Sequence, residues 1–69
     1  MTYAEQLRLE GESRGERRVL LLMLRTKFGT LPESAVARVN AADLTTLDLW
    51  VTRVLTAATL DEVFRAAAS

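Results

Sequence analysis

The chain has no cysteine and no histidine. That removes disulfides, the commonest zinc ligands and most nucleophile–base pairs. It has a single proline, Pro32, and only three glycines, Gly11, Gly15 and Gly29. No proline therefore interrupts the first thirty-one positions. One Trp, one Tyr and two Phe leave few rings for stacking on bases. Nine basic residues balance nine acidic ones, for a net charge of +0, without the basic excess of a nucleic-acid binder. The longest apolar run, Val-Leu-Leu-Leu-Met-Leu at 19–24, lies between Arg18 and Arg25. A membrane span needs about 20 such residues, so no membrane partner is expected. Glu5, Glu10 and Glu12 stand where a signal-peptide core would be apolar, and a cytoplasmic setting is expected.

What remains is a 69-residue chain with room for one small domain. A domain this small buries only about 60% of its unfolded surface and usually needs a disulfide, a metal or a partner subunit. With the first two removed, a partner is the expected supplement.

The pattern reads as all-α. The stretch 3–28 forms one long helix, opened by the capping-box sequence Thr2-Tyr3-Ala4-Glu5 and closed by Gly29 in a left-handed C-cap. It would be about 40 Å long, more than a core of this size requires. Pro32 fits the first position of a second helix over 32–40. Asp43 caps a third over 44–57, and Thr59 with Glu62 repeats the capping box for a fourth over 60–67. Residues 1–18 form a polar helical segment for oligomerisation or linkage, and 19–69 a small helical domain continuous with it. The expected core is Leu20, Leu24, Phe28, Leu31, Val36, Val39, Leu44, Leu47, Trp50, Val51, Val54, Leu60, Val63 and Phe64. Leu55 widens the apolar side of the third helix, and Ala35 joins that of the second.

The first helix carries a row at four-residue spacing: Tyr3, Leu7, Gly11, Gly15, Val19 and Met23, with Leu22 on the same side. Such a row is a ridge on a helix surface. Each interior glycine costs about 1 kcal/mol relative to alanine, so two on one ridge need a reason. One is close approach of a second helix backbone, as small-xxx-small pairs permit. The other is that this half is a solvated linker. Because 19–24 is apolar on every side, one face should pack on this chain and the other on a neighbour. The oligomer interface is therefore expected at Tyr3, Leu7, Gly11, Gly15, Val19, Leu22 and Met23.

Glu10–Arg14 and Glu5–Arg8 have the spacing of helix-stabilising ion pairs. Arg14, Arg17 and Arg18 form a basic cluster interleaved with Glu10, Glu12 and Glu16. A solvated or inter-helix ion-pair face is the plainer reading, and phosphate contact the alternative. The carboxylate pairs Glu12/Glu16 and Asp61/Glu62 lack the neighbours that tune a group for acid–base work. No catalytic residue, cofactor site or metal site is expected.

Two stretches carry a family resemblance. Phe28-Gly29-x-Leu31-Pro32-Glu33, Ala41-Ala42-x-Leu44-x-x-Leu47, Trp50 and Ala57-Ala58-Thr59-Leu60-Asp61-Glu62-Val63-Phe64 resemble the small helical domain-of-unknown-function family 4351. Met1-Thr2-Tyr3-Ala4-Glu5-Gln6-Leu7, with Glu10-Gly11 and Gly15, resembles the C-terminal region of Rpn-type recombination-promoting nucleases, also labelled transposases. Those proteins carry a PD-(D/E)XK catalytic domain upstream, and its motif has no counterpart here. The resemblance implies a non-catalytic tail, either part of a longer nuclease or made from an internal start at Met1. It also implies a short form that forms mixed oligomers with the full-length nuclease and restrains it. The expected partner is a second copy of the chain, with the nuclease as a further one. The alternative is an accessory nucleic-acid-binding module using Arg14, Arg17 and Arg18.

Overall fold

A computed structural model describes residues 2–65. Thr2 keeps extended backbone, and its hydroxyl accepts a 3.2 Å hydrogen bond from the Glu5 N–H. That satisfies one of the free donors at the start of α1 (Tyr3–Phe28). With no proline and alternating charges, α1 runs unbroken through residue 18 to Gly29. There φ is +82° and ψ −148°, while the Gly29 N–H reaches back to the Arg25 carbonyl at 2.9 Å. The expected left-handed cap is met in the sign of φ, but this ψ lies in a region that glycine alone populates comfortably.

Three short helices follow: α2 (Glu33–Ala41), α3 (Leu44–Val54) and α4 (Leu60–Arg65). Pro32 precedes α2 as its N-cap instead of opening it, with extended ψ 153°. Its carbonyl accepts from Ala35 at 3.0 Å and from Val36 at 3.3 Å, and its missing N–H costs nothing because a donor at a helix start has no carbonyl one turn back to bond. The Asp43 carboxylate caps α3 by accepting from the Thr46 N–H at 2.9 Å. Hydrogen bonding by the Thr46 side chain is the chief reason that its pKa lies below the ordinary 3.8, and the bond from the Thr46 N–H adds to it.

The third helix stops at Val54, short of the expected 57. Lys27 of α1 donates its ammonium to the Val54 carbonyl at 2.6 Å. The Ala58 N–H, which would have bonded that carbonyl in a further turn, donates to Glu62 instead, and the Thr56 N–H tightens onto the Arg53 carbonyl, which also accepts from Ala57. The Thr59 hydroxyl caps α4 through Glu62 N–H, and the Glu62 carboxylate accepts from Ala58 N–H at 2.9 Å, one residue before the expected partner. The expected end of this helix, 66–67, lies outside the described residues.

The long helix sets the dimensions. Twenty-six residues at about 1.5 Å each give the 39 Å of the longest axis. The other three helices gather around its C-terminal half. Leu20 and Leu24 of α1, Ala35 and Val39 of α2, Leu47, Trp50 and Val54 of α3, then Ala57, Val63 and Phe64 form the buried cluster. Burying each large member contributes about 1.5–3 kcal/mol. Trp50 and Phe64 meet edge to face at 4.8 Å, and the Arg38 guanidinium lies 4.8 Å from the centre of the Phe64 ring, tying α2, α3 and α4 together.

Several expected core positions move. Phe28, Leu31, Val51 and Leu60 are half-buried at the edge of the cluster. Val36 and Leu44 are half-buried and stand outside it. Ala35 and Val39 form the inward row of α2, which leaves Val36 at its flank. Leu44 faces a cleft beneath the N-terminal half of α1. Leu55, expected to widen the inner side of α3, is 71% exposed because the helix has already ended. Ala57 fills the space instead.

Candidate interaction face

Helical geometry puts Leu22 roughly 200° around α1 from Leu20, so the sides bearing them point apart. Leu20 and Leu24 enter the core completely, while Leu22 is 64% exposed, Tyr3 77%, and Leu7 and Val19 50% each. Gly11 and Gly15 are exposed between them. A Cβ built on either glycine meets nothing within 4 Å, so nothing in the chain's own packing calls for glycine there. Met23, expected at the interface, is half-buried and packs partly on the core. The row continues into an open apolar groove of about 430 Å³ between α1 and the end of α3, lined by Leu22, Met23, Thr26, Lys27, Val54 and Leu55. Sequence reading missed Leu55 here, because its α3 spacing pointed inward and only the early end of that helix turns it out.

The basic cluster divides. Arg17 donates Nε to the Val39 carbonyl at 3.1 Å and Nη2 to the Ala42 carbonyl at 2.9 Å. It closes the C-terminus of α2 as Lys27 closes α3, each cation against the negative end of a helix dipole. Arg14 and Arg18 stay exposed, and Arg25 joins them around an open groove with Asn40. Sequence reading missed Arg25 because it lies two turns beyond Arg18.

The pairs Glu10–Arg14 and Glu5–Arg8 do not form. Among the described residues the ion pair present is Arg65–Asp61 on α4. The Glu12/Glu16 pair is superseded by a contact between helices, since Glu16 meets Asp48 of α3. The carboxyl–carboxyl hydrogen bond raises the Glu16 pKa above its ordinary 4.5, and burial and repulsion from Asp48 and Glu12 add to this. No spacing rule connects positions so far apart in the chain. Among the described residues no three His, Cys, Asp or Glu side chains gather as a metal site would require. No helix among them is long and apolar enough to cross a membrane.

Fold and face together define a small all-α protein with one apolar, glycine-marked helix side uncovered. Comparison with protein-family models, curated proteins and solved structures returns no match.

Proposed function

We propose that the chain is a non-catalytic self-association module in which α1 lies against α1 of a second copy. The observation that carries this is the row of exposed Tyr3, Leu7, Val19 and Leu22 around two exposed glycines, on the side of α1 turned away from its own core. Burying large side chains from both copies would supply the stabilisation a small core lacks. Light scattering coupled to size-exclusion chromatography at micromolar concentration tests it. A dimer or higher oligomer is expected, and a folded monomer overturns the reading. Gly11→Leu and Leu22→Glu should each weaken the oligomer more than Arg53→Ala, and equal effects would count against this face.

The family resemblance extends the proposal. As the tail of an Rpn-type nuclease, or as its short form, the module would form mixed oligomers with the full-length enzyme and limit its DNA cleavage. Co-purification with such an enzyme and a cleavage assay test this. Absence of binding, or unchanged cleavage, would leave self-association alone. A second reading rests on Arg14, Arg18 and Arg25 around their groove, which would contact nucleic-acid phosphates. It requires binding at low salt that falls steeply as salt rises.

A further inference from the structure

The row Tyr3, Leu7, Gly11, Gly15, Val19, Met23 is flanked by two others at the same spacing. One carries Ala4, Arg8, Glu12 and Glu16, with one cation and two anions. The other carries Glu10, Arg14, Arg18 and Leu22, with one anion and two cations. Apart from the like-signed contact of Glu16 with Asp48, the fold leaves these charges without an ionic partner, since the ion pair among the described residues lies on α4.

Symmetry then makes orientation a question of charge. When two identical helices pair in parallel about a two-fold axis, each flank faces the opposite flank of the other copy. When they pair antiparallel, each flank faces itself. In parallel, Glu12 lies beside Arg14 of the second copy and Arg8 beside Glu10, and each match occurs twice. In the antiparallel pair crossing at the glycines, Arg14 meets Arg14 and Glu12 meets Glu12, while Arg18 falls opposite Glu10.

We propose that two copies pair in parallel through α1, the negative flank of each against the positive flank of the other; this rests on the self-association reading above. The apolar row fits such a pair. Helices packed along four-residue ridges cross at about 50°, so the gap is narrowest at the crossing and widens towards the ends. Side-chain size follows the gap: Gly11 and Gly15 at the centre, Leu7 and Val19 beyond them, Tyr3 and Met23 outermost. At the end bearing α2, α3 and α4, the two Leu22–Leu55 grooves face each other across the fork. Those helices pack on the Leu20–Leu24 side, away from the crossing.

The chain has no cysteine, so Leu7→Cys or Val19→Cys gives a single thiol, at positions half exposed in one copy. With a short bis-maleimide linker, each variant should join to itself. A mixture should give no 7–19 product, since twelve residues along parallel helices separate these sites by about 18 Å. Product found chiefly in the mixture overturns the parallel arrangement and leaves self-association standing. No product with a dimeric solution mass overturns the face, and a monomeric mass overturns both readings. Charge removal gives an independent sign. Arg14→Gln should weaken association and Arg14→Lys preserve it, whereas an antiparallel pair, relieved of its Arg14–Arg14 repulsion, would be strengthened by Arg14→Gln.

Discussion

Replacing Gly11 and Gly15 together by alanine should move two measurable quantities in opposite directions. Both positions are helical with open space around them in the single chain, since a Cβ at either meets nothing within 4 Å. Each replacement therefore acts on the monomer through helix propensity, worth about 1 kcal/mol in favour of alanine. The pair would contribute about 2 kcal/mol, up to about 8–16 °C in melting temperature for a domain of this size. In the proposed dimer the same two methyl groups enter the narrowest part of the crossing, once from each copy. Overpacking of that kind costs about 1–3 kcal/mol, roughly five- to a hundredfold in Kd. Circular dichroism melting of dilute, monomeric protein reads the first quantity, and sedimentation equilibrium the second. A variant that melts higher and associates as tightly as the wild type, or more tightly, would refute close approach at the glycines. They would then be positions of no structural consequence.

Four further outcomes follow from the fold. Arg17→Met keeps the aliphatic stem but removes both hydrogen bonds to the Val39 and Ala42 carbonyls. A loss of about 1.5–3 kcal/mol is expected in urea unfolding, and an unchanged midpoint would show that water replaces the guanidinium at no cost. Glu16 has a raised pKa in the folded state, so its contribution favours the fold below the ordinary 4.5 and is lost as pH rises through the raised value. Glu16→Gln should therefore melt above the wild type at neutral pH, with the difference closing in acid; a constant difference across pH would exclude the Asp48 contact as its cause. Leu24→Ala empties a fully buried position, and a loss of about 2–5 kcal/mol is expected in the same urea assay. Leu55→Ala, at a site 71% exposed, should leave the stability of the monomer nearly unchanged.

Local chemistry determined most of the fold. The capping residues Thr2, Asp43 and Thr59, together with Gly29, placed four helices in the order observed, because a cap acts within a few residues of itself. Apolar period likewise placed Leu20, Leu24, Val39, Leu47, Trp50, Val54, Val63 and Phe64 inside, since any helix must bury its apolar stripe somewhere. The row on α1 was also legible, because spacing alone sets which residues share a helix side.

Tertiary structure decided what depends on a distant neighbour. Lys27 ends α3 by taking the Val54 carbonyl, which turns Leu55 from an expected inward residue into a wall of the exposed groove. Arg17, in sequence one of three clustered arginines, is drawn onto the end of α2, and Glu16 meets Asp48 across two helices. These contacts join residues that no periodicity relates. Long polar side chains reach whichever unsatisfied carbonyl or carboxyl the packing brings near, and only the packing of α1 against α2 and α3 fixes which one that is.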